Sequence, residues 1–197
     1  MVKLGLNKVG IMVVPTSNFP RSDLDFALHI YKKRFEDYAY TRLSEEILDL
    51  KEFPYRITAF GRQYLADALL QAAIQQRVSG IITVLTSADI YTGGMNYVFG
   101  LATRGSALVS SARIDPAFWK GIQDIFRYTS EGRPFFERQY AKVLVHELGH
   151  AFGLPHCNDW DCAMHYSNSP IELYKKDEWY CQNCLRELTS TFRLSII

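Results

Sequence analysis

The sequence predicts a mixed fold of class α+β or α/β: helices on a twisted mixed sheet with an antiparallel strand at one edge, followed by a small cysteine-rich part. Three observations point there. Apolar stretches of strand character alternate with stretches of helical period through most of the chain, two strands flank a short glycine-containing turn, and all four cysteines fall between Cys157 and Cys184. The first two describe sheet and helices. The third marks a C-terminal part of different texture.

Lys8 to Pro15 is an apolar run of strand type. From Ser22 to Phe35 the period becomes helical, with Leu24, Leu28, Tyr31 and Phe35 on one stripe and Ser22 and Asp25 spaced as a capping box. Asp37 to Leu43, rich in Tyr and Thr, reads as a second strand. A polar stretch with Pro54 leads to a helix over Arg62 to Arg77 that buries Leu65, Leu69 and Ala72 and is followed by Gly80. Ile81 to Thr86 is apolar and β-branched almost throughout, which places it in the middle of the sheet. Tyr97 to Thr103 and Ala107 to Ile114 flank Arg104-Gly105-Ser106 as a hairpin, the first being the candidate edge strand. A long helix runs from Pro134 to Phe152 and stops at Gly153, and a last amphipathic stretch covers Gln182 to Phe192.

Composition narrows the function. With 197 residues and 48% hydrophobic content, the chain can bury roughly 70% of its unfolded surface without disulfides, so disorder is excluded and one domain with a small appendix is expected. Twenty-two basic residues against 21 acidic ones leave a net charge of +1, too little to hold a polyanion, so neither nucleic acid nor membrane is an expected partner. Val9 to Pro15 is interrupted by Gly10 and lacks a cleavage site, so it reads as a strand rather than a leader, and a cytoplasmic protein is expected. There, cysteines stay reduced and bind metal more often than they pair.

The chemistry is written near the end of the long helix. His146-Glu147-Leu148-Gly149-His150 has the spacing H-E-x-x-H. Residues four apart share a helix face, so two imidazoles can converge on one ion, while Glu147 is rotated away from it and can reach a water there. Gly153 tolerates positive φ, and the turn it permits returns His156 to the same point. Three neutral imidazoles and one open position are the coordination of a catalytic zinc rather than a structural one. The competing reading is a helix whose histidines merely pack or face solvent. The cysteines, C-x4-C-x18-C-x2-C, form two close pairs that suit a four-thiolate structural zinc; two disulfides are the alternative. Because His156 and Cys157 are adjacent, the second site would pin the third ligand of the first.

The string HELGHAFGLPHC resembles the metzincin zinc peptidases, whose pattern H-E-x-x-H-x-x-G-x-x-H is followed by a methionine turn. Cys157 directly after the third His, then Cys162-Ala163-Met164 and Cys181-Gln182-Asn183-Cys184, make the archaemetzincins the closer likeness. The resemblance implies a metzincin-like (zincin) fold, with residues 1–153 forming a sheet-and-helix subdomain that ends in the active-site helix. Residues 154–197 would form a C-terminal subdomain around the four-cysteine site. It further implies a zinc metallopeptidase with two zinc ions per chain, one held by His146, His150 and His156 and the other by Cys157, Cys162, Cys181 and Cys184. Glu147 would act as general base toward a zinc-activated water, Met164 would be the methionine turn, and Tyr166 a possible oxyanion donor, as in the astacin and serralysin branches. Some archaemetzincins bring aminopeptidase activity into view. That would need a carboxylate for an α-ammonium, for which Asp89 is the candidate beside its reading as a turn-stabilising residue. Arg104 could meet an acidic substrate group or simply face solvent; His29 and His165 carry no assigned role. The expected partner is a peptide or protein substrate and the expected state a monomer. Two rival readings are a zinc-stabilised interaction module with little activity, and a zinc hydrolase of non-peptide amides or esters.

Overall fold

A computed structural model describes residues 8–76, 79–119 and 132–194. In chain order the elements are β1 (Val9–Pro15), α1 (Arg21–Arg34), β2 (Ala39–Leu43), β3 (Tyr55–Thr58), β4 (Gly61–Leu65), α2 (Ala66–Ile74), β5 (Ile81–Thr86) and β6 (Asp89–Tyr91). There follow β7 (Gly100–Thr103), β8 (Ser106–Ser110), α3 (Arg133–Ala151), α4 (Pro170–Lys175) and α5 (Gln182–Leu194). Five strands form the main sheet in the order β2-β1-β5-β8-β7, all parallel except β7, which runs antiparallel to β8 at the edge.

Strand alternation explains the layers. Ile11 and Val13 of β1 join Ile81, Leu85, Ala107 and Val109 in a core covered by α1 and α3, while Val14, Ile82, Val84 and Leu108 face α2 on the other side. β5, buried along its whole length, occupies the middle of the sheet as its composition requires. α3 is buried around nearly its entire circumference, because β7 and β8, α1 and the C-terminal segment all pack on it. Ala163, Met164, Tyr180, Cys184 and Leu188 enter that same core. No described helix is long and apolar enough to cross a membrane.

Several local expectations are corrected. The helix expected from Arg62 starts at Ala66, since Gly61–Leu65 is a strand paired with β3 and β6 in a separate three-stranded sheet. A short run such as Gln63-Tyr64-Leu65 fits either period, and Gly61 at φ 103° makes the hairpin turn available. α2 accordingly buries Leu69, Leu70 and Ala73, with Ala72 half-buried and Leu65 in the strand. Its expected end at Arg77 lies outside the described residues. The capping box at Ser22 does not form: Pro20, with φ fixed at −60°, starts α1 one residue early, and Asp25 pairs with Arg21 at 3.0 Å instead. The hairpin strands are shorter than expected, Ala112–Ile114 being a 3-10 turn, and α4, capped by Ser169, has too few residues to show a period.

Candidate active site and metal centres

The C-terminal end of α3 builds the site. Gly153, at φ 99°, takes the left-handed position after the helix; its N–H donates to His150 O at 2.8 Å and that of Leu154 to Gly149 O at 2.9 Å, the paired bonds of a Schellman turn. That turn leaves Leu154 O 2.8 Å from His150 Nδ1, and a carbonyl only accepts, so the ring presents Nε2 to the cleft. Ala163 O plays the same part for His146 Nδ1 at 2.7 Å. His156 closes the group: the three ring centroids stand 4.7, 4.7 and 5.4 Å apart, and one ligand nitrogen from each lies within 4.8 Å of the others. The group could hold a single metal ion. Burial lowers the pKa of each imidazole, with Lys176 adding to the effect, so all three are held in the neutral form that ligates metal.

Glu147 is buried against β7. A Cβ on Gly100 would come within 2.5 Å of its Cγ and Cδ, so the strand can approach the carboxyl only because residue 100 has no side chain. Desolvation lifts the Glu147 pKa to about 8. Met164 is wholly buried, its Sδ filling the space that a Cβ on Gly149, between His146 and His150 in the helix, would need. Tyr166 packs edge-on to His156 with centroids 5.0 Å apart and is 39% exposed. These groups border a cleft of about 230 Å³, room for a peptide residue or two, whose far wall is β7 and its lead-in Tyr97 to Phe99. The N–H of Gly105 at the hairpin turn donates to Ala151 O at 2.8 Å, which ties this edge strand to the end of α3.

The four cysteines gather nearby. Cys157 and Cys181 sulfurs are 3.8 Å apart and those of Cys162 and Cys184 3.7 Å, and all four lie within 4.8 Å of one another. A tetrahedron of about 2.3 Å Zn–S bonds has edges of about 3.8 Å, whereas a disulfide would need about 2.05 Å. The cysteines are free, and the donor set fits a zinc ion. Backbone N–H groups of Asp159, Met164 and Cys181 donate to the sulfurs at 3.3–3.4 Å, which favours thiolates. Cys157 N–H also donates to Met164 O at 3.0 Å, so one loop carries His156, a thiolate and the methionine turn.

Other candidates fall elsewhere. Asp89 does not line the cleft; both its oxygens receive the Arg113 guanidinium, at 2.7 and 2.8 Å, and Gln63 adds a third bond at 2.9 Å. Arg104 is exposed on the hairpin turn, over Gly153. His29 faces solvent, and His165 stacks on Trp160 at 4.2 Å. Gly100, Tyr97, Ser167 and Lys176 also line the cleft, although no motif in the sequence marks them as site residues. A lone glycine in a strand signals a close approach and could have flagged the first; nothing local marks the others.

Fold and site together define a zinc metallopeptidase. Residues 62–190 match peptidase family M54, and the chain belongs to that family. It is 33% identical to the archaemetzincin of Pyrococcus furiosus over 183 residues, covering 90% of this chain and 91% of that one. It is 35% identical to the archaemetzincin of Thermococcus kodakarensis over 193 residues, covering 90% and 94%. The crystal structure of archaemetzincin from Methanopyrus kandleri superposes with a TM-score of 0.74 at 28% identity, covering 98% of this chain and 99% of that one.

Proposed function

We propose that the protein hydrolyses peptide bonds in an extended peptide laid along β7, with Glu147 as general base and then general acid. The observation that carries this reading is the placement of the Glu147 carboxyl, buried in the cleft wall beside the three imidazoles and pressed against the edge strand at Gly100. His146, His150 and His156 would hold one zinc and the four cysteines a second, two per chain. The catalytic ion supplies Lewis acidity and lowers the pKa of water from about 15.7 toward 7. Glu147 takes the proton from the attacking water and passes it to the leaving amine, a transfer suited to a carboxyl whose pKa burial has raised. Tyr166, packed edge-on against His156 and partly exposed, donates its hydroxyl to the developing oxyanion. Among the described strands β7 lies at the edge of the main sheet, and its outer side would offer backbone groups to the substrate.

An aminopeptidase would need a carboxylate for the α-ammonium. Glu147 is the sole carboxylate among the described lining residues, and Asp89 is committed to Arg113, so cleavage away from the N-terminus is the better supported reading. The enzyme would act as a monomer on peptides or proteins. Glu147→Gln is expected to keep its zinc and its fold and to lose turnover on a panel of N-blocked and N-free fluorogenic peptides. Full activity in that variant would refute the role.

A further inference from the structure

The cleft holds a positive charge that the hydrolytic steps above do not use. Lys176, directly after α4, is 4% exposed, and its ammonium donates to Ala163 O and His165 O, each at 2.9 Å. An ammonium has three N–H groups. The third finds no acceptor among the described residues, because His146 Nδ1, 3.4 Å away, directs its own proton at Ala163 O. None of the described ion pairs includes Lys176. The Ser167 hydroxyl is buried without a hydrogen-bond partner, and Ser167 lines the same cleft as Lys176. Glu147 acts on this cation through space but makes no ion pair with it, and a buried cation with a spare proton in a cleft that also holds an unpaired hydroxyl is a costly arrangement unless an anion completes it. The Tyr97 hydroxyl donates to Asn168 O at 3.1 Å and so joins the lead-in of β7 to the segment after Met164.

Building on the peptidase reading, we propose that Lys176 and Ser167 form a subsite for a substrate carboxylate next to the bond being cut, making Lys176 a specificity-determining residue. The carboxylate comes either from an Asp or Glu side chain or from the free C-terminus of a short substrate. In both cases the carboxylate oxygens would take the spare ammonium proton and the serine hydroxyl in a cleft lined also by Val143 and Leu173, where a charged hydrogen bond is worth most.

A peptide library with blocked ends, containing matched Glu and Gln partners and read by mass spectrometry, tests the side-chain source. Matched C-terminal acids and amides test the other. The zinc-loaded enzyme should cut one carboxylate series about 10- to 100-fold better in kcat/KM than its neutral isostere. Lys176→Met should bring that ratio near one, Lys176→Arg should retain it, and Ser167→Ala should reduce it. Calorimetry on Glu147→Gln gives a readout without turnover: the preferred acid should bind more tightly than its amide, and the added Lys176→Met should erase the difference. Equal cleavage of acids and neutral isosteres by the wild-type chain, or an unchanged ratio in both Lys176→Met and Ser167→Ala, overturns the subsite while leaving the peptidase reading intact. Failure to cut any peptide overturns the peptidase reading itself.

Discussion

Gly100 shows how much of the site rests on atoms that are missing from a side chain. Replacing it with Ala puts a Cβ 2.5 Å from the Glu147 carboxyl carbon, so either the strand or the carboxyl must move. A displacement near 1 Å costs on the order of 100-fold in rate. Gly100→Ala is therefore expected to lose about that much kcat/KM with unchanged zinc content, and wild-type rates would contradict the placement. Gly149→Ala presses on Met164 and the Tyr180 hydroxyl instead, and is expected to cost about 1–3 kcal/mol of stability, read from a urea midpoint. The ligands were legible because their spacing is local: two turns of one helix and a glycine bend bring three histidines together within eleven residues of chain, 146–156. Gly100 and Lys176 were not, because each reaches the site from a different element.

Among the elements, the loop that carries His156 and Cys157 joins the two ligand clusters, and on the proposed reading it would transmit order from one metal site to the other. Cys184→Ser removes one of four thiolates, and structural zinc sites contribute directly to folding free energy. The variant is expected to bind one zinc less firmly, melt at lower temperature and, because Cys157 N–H holds Met164 O, lower the affinity of the histidine site about 10- to 100-fold. Competition with a chelator indicator reads both. The buried Asp89–Arg113 pair stabilises the other wall, with the guanidinium 4.0 Å over Tyr97 and 5.3 Å over Trp119. Asp89→Asn strands the cation and is expected to cost about 3–5 kcal/mol, measured by denaturant unfolding. At this scale β5 could be read because a β-branched run suits only a sheet covered on both faces, and α3 because proline and glycine bracket it. The β3–β4 hairpin could not, since its short strands alternate too few residues to tell a strand from the first turn of a helix.

Across the whole molecule, two clusters of metal-ligating side chains of different make share one segment behind a sheet edge. Hard-wired thiolates hold the segment, and three imidazoles at the end of α3 leave room for chemistry. The direct test is the zinc content of purified wild-type chain and of His156→Ala, after exposure to a slight excess of zinc and desalting. Two ions per wild-type chain and one in the variant, with peptide cleavage lost, is the expected result. A variant that keeps both ions and cleaves peptides as well as wild type would show that the three imidazoles do not share a catalytic metal.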